Sequence, residues 1–299
     1  MPTVSPATLL APAGATIQLQ ALAYPQAPGE SGLLLPEVLA HGPVAAGQLG
    51  PWQIEVHTTD LDAGLDLVIT ATATSPLASH GLGLTLDFAT WGDQHYLHLP
   101  GAIYAGNRRH CHPQPYSPRM PAELASPTGA PVIADIPRLA LQGAGRIDLL
   151  TGDQAIPAAA VVDPAGTALL LLTEQGSAWG DHGFSVEEDS DHRHLRLRLA
   201  APGVRAQRYR FMSTGLPSPD RGGAFAVGDQ LTLRVRLWVK PDAGIQGVFD
   251  QLLSHRHDLA PATVWRPSLP LSAASDLIAA HYQRDCWLPQ VCHRQRRCG

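Results

Sequence analysis

The feature that most constrains this chain is the strict alternation of apolar and polar residues in short segments. Leucines alternate with basic residues over residues 194–199, and Leu233, Val235 and Leu237 alternate with Arg234 and Arg236 within residues 231–239. Successive side chains of a β-strand point to opposite faces, so the pattern places an apolar row on one face and arginines on the other. Such segments predict antiparallel strands with one face in a core and the other towards water.

More segments with a period of two, or with short apolar runs, predict further strands of this kind. They are residues 15–23, 52–57, 65–73, 83–88, 146–151, 158–163 and 167–173. Residues 163–166, Asp-Pro-Ala-Gly, predict a hairpin turn between the last two. The counts of Gly (28) and Pro (27) favour many turns over long helices. We therefore predict a mainly β chain, a large antiparallel β-sandwich with a short C-terminal helical segment.

The pattern changes near residue 245, where apolar residues begin to recur at helical spacing. The first such set is Val248, Phe249, Leu252 and Leu253, and the second is Ala274, Leu277, Ile278 and Tyr282, with Ser272 as a candidate cap. This predicts a β-sandwich domain over 1–244, a helical linker over 245–287 and an irregular tail over 288–299. Because the last helix has no predicted partner for its apolar face, we also expect self-association through it.

Charge is unevenly distributed along the chain, and this excludes several classes of partner. The net charge is −5, and the first basic side chain is Arg108. Nucleic-acid binding needs a basic face that neutralises phosphates, which the body of this chain lacks. No apolar run reaches the roughly 18 residues of a membrane helix, and no leader with a positive start is visible. The sequence predicts a cytoplasmic protein with neither nucleic-acid nor membrane partners, and it leaves export open.

Polar recognition residues are concentrated in residues 94–112, where the first arginines appear. Tyr104 can stack on the apolar face of a sugar ring, and Trp91 can add a second aromatic surface. Asn107 can hydrogen-bond vicinal hydroxyls, and Arg108 can donate to a carboxylate or to two hydroxyls. The segment predicts an exposed loop that binds an oligosaccharide or a polysaccharide-derived ligand. The alternative is a loop that only packs over the rim of the sandwich.

Three His-x-His pairs offer a different chemistry, because two histidines at this spacing on a strand face the same way and can bind one metal. The pairs are His110/His112, His192/His194 and His255/His257. Their spacing does not supply a third ligand, so we assign no metal and no cofactor, and a metal-dependent enzyme stays an alternative. The densest acidic run, residues 187–191, predicts a solvated hairpin tip rather than the carboxylate pair that glycoside hydrolysis needs.

Residues 97–108, Leu-His-Leu-Pro-Gly-Ala-Ile-Tyr-Ala-Gly-Asn-Arg, resemble a known motif, lPaaiYnGNR. The motif belongs to the N-terminal β-sandwich of certain bacterial proteins similar to glycoside hydrolases. In that family a supersandwich of the galactose-mutarotase type precedes an (α/α)6 toroid of six helical hairpins. The resemblance covers most of residues 80–287. Its supporting segments are 135–138, 173–175, 217–221, 247–253 and 269–274.

The resemblance implies that Tyr104, Asn107 and Arg108 face a sugar-binding cleft between sandwich and toroid. The toroid would carry the catalytic carboxylates, but after Trp287 the sequence becomes rich in Arg and Cys, as in a truncated chain. No catalytic residue is therefore assigned. We expect the non-catalytic N-terminal part of a carbohydrate-active enzyme. The alternatives are a stand-alone carbohydrate-binding module that uses Tyr104 and Trp91, and the metal-dependent enzyme.

Overall fold

The structure is a computed structural model that describes residues 4–29, 32–108, 137–140, 143–210, 213–259 and 270–286. Backbone contacts divide the chain into two compact units, one from Met1 to Ala260 and one from Pro261 to Gly299. The first unit contains both large sheets. The second is described over a single helical stretch.

The strands account for most of the regular structure in the described residues. The first ten are β1 (Ala15–Ala23), β2 (Glu37–Gly42), β3 (Gly47–Leu49), β4 (Trp52–Leu61), β5 (Gly64–Ala73), β6 (Leu77–Phe88), β7 (Tyr96–Leu99), β8 (Ile103–Tyr104), β9 (Gly145–Leu150) and β10 (Ala158–Val162). The others are β11 (Ala168–Thr173), β12 (Gly176–Ser177), β13 (Gly180–Asp181), β14 (Gly183–Glu188), β15 (Leu195–Ala201), β16 (Gln207–Arg210), β17 (Ser213–Pro217), β18 (Gly223–Phe225) and β19 (Gln230–Lys240). Every segment that the alternation predicts as a strand overlaps one of these.

The helices are few and short. They are α1 (Pro6–Leu10), α2 (Gly244–His255) and α3 (Leu271–His281) in the described ranges, with 3₁₀ turns at Ala11–Ala13, Ala105–Asn107 and Thr151–Asp153 and a π turn at Tyr282–Cys286. The helix predicted around Val248 is α2. The second predicted helix is α3, but it starts at Leu271 after Pro270 and has no side-chain cap, so Ser272 lies inside its first turn.

One sheet has seven strands in the described part of the chain, in the order β2-β1-β6-β15-β14-β9, with β18 added beside β6. All its pairings are antiparallel. Leu84 of the long strand β6 lies opposite Leu19 of β1 on one side and Leu199 of β15 on the other. Leucines of three neighbouring strands therefore form one apolar row on the same face.

The second sheet has eight strands, again counting described residues, in the order β3-β4-β5-β19-β11-β10-β7-β8. Strand β19 lies in its middle, between β5 and β11. The predicted turn joins β10 and β11: the Asp163 N–H donates to the Thr167 carbonyl at 3.0 Å, and the Thr167 N–H donates to Asp163 Oδ1 at 2.8 Å. Gly166 has a φ of +89°, which favours glycine at this position.

The two sheets pack face to face. Their apolar rows meet in a single large cluster of buried residues, with Leu84 and Leu197 from the seven-stranded sheet and Leu67, Leu171 and Leu233 from the eight-stranded sheet. A sheet that is apolar on one face must bury that face, and here each sheet covers the other. The prediction of a mainly β, antiparallel β-sandwich with a short C-terminal helical segment is confirmed.

The arginine faces of the strands are less solvated than the alternation predicted. Arg198 on β15 is buried, its Nε donates to Gln20 Oε1 at 3.0 Å, and burial lowers its pKa. Arg236 on β19 is held by Asp66 in a two-pronged ion pair. Arg198 and Arg236 are thus satisfied by an amide and by carboxylates rather than by water, whereas Arg234 is exposed.

Helix α2 packs on the outer face of the eight-stranded sheet. Val248 and Leu252 are buried there with Trp238 and Leu170, in a second apolar cluster. The first compact unit extends to Ala260 and includes α2. The predicted division into a sandwich domain over 1–244 and a helical linker over 245–287 stays a prediction. Helical spacing shows that a segment has an apolar face, but it does not show which surface covers that face.

Helix α3 carries the exposed apolar side chains Leu271, Leu277 and Ile278, and the exposed Tyr282 follows it at the start of the π turn. Self-association through this helix stays a prediction. The predicted tail, residues 288–299, lies outside the described residues. Within the described ranges, no helix combines the length and the apolar character needed to cross a membrane.

Candidate functional site

The loop that contains the predicted binding residues follows the β7–β8 hairpin. Its backbone turns sharply, with φ values of +50° at Ala105, +65° at Gly106 and +54° at Asn107. A side chain at Gly106 would come within 3.0 Å of the Leu139 side chain, so the close approach of Leu139 favours glycine there. Asparagine also tolerates the left-handed region better than most residues. Gly106 and Asn107 thus suit this turn, whereas Ala105 is an alanine in the uncommon left-handed region.

Asn107 holds this loop in place. Its Oδ1 accepts the Tyr104 N–H at 3.0 Å, and its Nδ2 donates to the Ala102 carbonyl at 2.8 Å and to the Pro137 carbonyl at 3.0 Å. The side chain is buried. A sugar hydroxyl could reach this amide only by displacing one of these bonds, so the structure gives Asn107 a positioning role.

Tyr104 is the exposed member of the predicted set. It is 47% exposed, and its ring centre lies 4.9 Å from that of the buried His98. His98 is also 5.1 Å from Phe249 of α2 and 6.0 Å from Tyr96. Its Nδ1–H donates to the Ile103 carbonyl at 3.0 Å, and burial lowers its pKa. The result is an aromatic surface in which Tyr104 rests on a neutral imidazole and faces outward.

Trp91 and Arg108 meet at a carboxylate that the sequence analysis did not select. Glu188 is 3% exposed, and its Oε1 accepts the Trp91 indole N–H at 2.6 Å and a hydrogen bond from Arg108 Nη2. His192 Nδ1–H donates to Oε2 at 2.8 Å. Arg108 Nη1 also donates to the Ala140 carbonyl at 2.7 Å. We call these four side chains, Trp91, Arg108, Glu188 and His192, the Glu188 cluster.

The Glu188 cluster joins three loops at one end of the sandwich. The backbone N–H of Trp91 donates to the Arg193 carbonyl at 2.9 Å, and this bond connects the turn after β6 to the β14–β15 hairpin. Trp91 itself is buried, so its ring is not an open stacking surface. Trp91 and Arg108 therefore fix the base of the Tyr104 loop.

A signal for Glu188 was present in the sequence. Phe184, Val186 and Glu188 alternate along β14 and share its inward face, so a carboxylate stands in a core position. A buried carboxylate requires donors, and Trp91, Arg108 and His192 supply them. The run 187–191 does include the hairpin turn, but Glu188 does not belong to a solvated tip.

A second polar group lies on the outer face of the seven-stranded sheet. Arg146 donates to Asp148 Oδ2 at 2.8 Å and to Glu187 Oε1 at 2.8 Å, and Tyr24 is buried nearby with its pKa raised by that burial. The cavity that Arg146, Asp148 and Tyr24 line has a volume of about 10 Å³. Such a space holds about one water molecule, so it does not admit a sugar.

The described histidines of the His-x-His pairs do not converge on a common point. His192 donates to Glu188, whereas His194 Nε2 lies 3.4 Å from Asp87 Oδ1. His255 Nδ1–H donates to Asp258 Oδ2 at 2.8 Å, and Arg256 Nε donates to His257 Nε2 at 3.0 Å. His110 and His112 lie outside the described residues. Over the ranges that are described, no group of three or more His, Cys, Asp or Glu side chains could hold a metal ion.

Comparisons with known proteins add little to this geometry. No family model matches the chain, and no curated protein matches it. Among solved structures, it is similar to the Slr1438 protein from Synechocystis sp. PCC 6803, with 13% identity and a TM-score of 0.33. That alignment covers 64% of this chain and 55% of the other, so the chain spans little more than half of that protein. A likeness this weak supports no statement about fold or function.

Proposed function

We propose that this β-sandwich is the non-catalytic part of a carbohydrate-active enzyme and that it binds a sugar chain at the Tyr104 loop. The observation that carries the proposal is the exposed Tyr104 ring on a loop that Asn107 and the Glu188 cluster hold rigid. An aromatic ring held in place can stack on the C–H face of a sugar without a large loss of conformational entropy.

The polar side chains around Tyr104 hold the loop in place and are not free to contact a ligand. Asn107 and Arg108 use their donors on the chain itself, and Trp91 is buried. Ligand contact therefore falls to Tyr104 and the neighbouring Phe249, which is partly exposed. Two exposed rings that both contact His98 offer a stacking surface for more than one sugar unit.

Glycan-array binding tests the proposal. Wild-type protein should bind a set of related glycans, and Tyr104→Ala should weaken affinity for the strongest of them by about tenfold, as is typical when a central aromatic contact is lost. Tyr282→Ala removes another exposed tyrosine, in the π turn after α3, and should leave binding unchanged.

Two results would contradict the proposal. One is equal binding by wild type and Tyr104→Ala on every glycan. The other is hydrolysis of aryl glycosides or oligosaccharides by the isolated chain well above a heat-killed control, which would make it catalytic. Strong binding that depends on Tyr104 would favour the stand-alone carbohydrate-binding module, since a domain that needs a toroid to complete its cleft should bind weakly.

A further inference from the structure

A cavity of about 260 Å³ lies between helix α2 and the outer face of the eight-stranded sheet. It is on the side of α2 away from the Tyr104 surface, and none of its lining residues belongs to the predicted binding loop. Its volume is a little below the range of small-molecule sites, about 300–1,000 Å³, so it suits one small molecule and not a polymer.

One wall of the cavity is a fixed polar network. Arg236 donates to both oxygens of Asp66, at 2.7 and 2.8 Å, and also to Asp258. Asp258 in turn accepts the His255 Nδ1–H. Hydrogen bonding to Asp66 is the main reason that the pKa of Arg236 is raised. Because these groups satisfy one another, the wall keeps its shape when the cavity is empty.

The rest of the lining offers polar groups that are not engaged within the described part of the chain, and two of them, Asp62 and Lys240, are exposed. Trp238 is mostly buried, and its indole N–H, which solvent can reach, makes no hydrogen bond to any described residue. Lys240 is the only lysine in the sequence, and it forms no ion pair in the described part of the chain. Asp62 and the Gln251 amide likewise have no partner there. Apolar atoms of Leu61 and Leu170 complete the cavity.

These groups define the chemistry of a ligand. Lys240 would pair with one negative charge, and a carboxylate is a suitable partner for an ammonium group. The Asp62 carboxylate accepts hydrogen bonds, which suits donors such as hydroxyls, and the Gln251 amide can serve either role. The Trp238 N–H donates, and its ring offers an apolar face. We propose that this cavity binds a small hydroxylated carboxylate of the sugar-acid class, with the carboxylate at Lys240 and hydroxyls at Asp62 and Gln251.

The single lysine makes the test direct. An amine-acylating reagent modifies Lys240, and peptide mass spectrometry follows the rate at that one side chain. Glucuronate is the probe, with a millimolar dissociation constant as the expectation for so small a ligand. At a concentration about four times this constant, glucuronate should slow acylation about fivefold. Glucose, which lacks the carboxylate, and acetate, which lacks the hydroxyls, should leave the rate unchanged.

Variants locate the effect. The saturation-transfer NMR signal of glucuronate should be lost with the Lys240→Gln variant. It should be kept with Arg234→Gln, which removes the same charge from an exposed site on the same strand. Leu61→Trp should also abolish the signal by filling the cavity from a partly exposed position. Tyr104→Ala should bind glucuronate as well as wild type, so failure here and failure of the glycan-binding proposal are separate results.

The proposal is overturned if glucuronate does not slow acylation, or if glucose or acetate slows it equally. It is also overturned if Leu61→Trp, confirmed as folded by circular dichroism, retains the glucuronate signal.

Discussion

At the residue scale, Glu188 is the acidic residue of the run 187–191 that holds three loops together. It is the shared acceptor for Trp91, Arg108 and His192, and it is almost fully buried. A buried carboxylate with three donors is stable only while all partners remain, since any one left unpaired faces a low-dielectric surrounding.

Glu188→Gln should therefore lower the free energy of unfolding by about 3 kcal/mol, the usual cost of removing one partner from a buried ion pair. Glu55→Gln on the exposed face of β4 removes the same charge and should change stability by less than about 0.5 kcal/mol. Urea unfolding at neutral pH measures both. Equal stability of the two variants would show that Glu188 does not anchor the loops.

At the element scale, the sequence located the strands and helices well because periodicity is a local property. Leu195, Leu197 and Leu199 are buried as the alternation indicated, and β1 occupies the predicted residues 15–23. The short strands β7 and β8 carry only a few residues each, too few for a period to be recognised. The role of α2 also depends on the sheet surface that it covers. Residues distant in sequence form that surface, so the spacing within the helix does not predict it.

Two adjacent leucines of α2 test whether this helix belongs to the sandwich. Leu252 is 3% exposed and Leu253 is 60% exposed. Leu252→Ala should cost about 3 kcal/mol of unfolding free energy through lost burial and a residual cavity, whereas Leu253→Ala should cost less than about 0.5 kcal/mol. Urea unfolding of the two variants provides the comparison. Small and similar effects would mean that α2 is a linker, as the sequence suggested.

At the scale of the whole molecule, buried histidines make stability depend on pH. His182 is fully buried, its Nδ1 lies 3.4 Å from Thr173 Oγ1, and burial lowers its pKa from 6.5 to about 4, although a backbone hydrogen bond with Glu174 opposes this shift. Burial also lowers the pKa of His80, His95 and His98. The folded protein thus resists protonation that the unfolded chain accepts.

Stability should accordingly be full above the unfolded pKa of 6.5 and fall as the pH drops towards about 4. From His182 alone, the loss between about pH 7.5 and about pH 5 should be about 2 kcal/mol. Urea unfolding across this range should give a shallower pH dependence for His182→Leu than for wild type, whatever the stability of the variant at neutral pH. Parallel curves would show that His182 accepts a proton within the fold.

The sequence by itself determined the fold class and the inward faces of the main strands, because these follow from spacing along the chain. Only the tertiary structure decided what Asn107, Arg108 and Trp91 contact, since their partners lie up to about a hundred residues away, as with Trp91 and Glu188. It also decided that α2 packs on the outer face of the eight-stranded sheet and borders the cavity that Lys240 lines. Hydrogen bonds and cavities depend on which distant segments of the chain pack together, and the local periodicity of the sequence does not determine that packing.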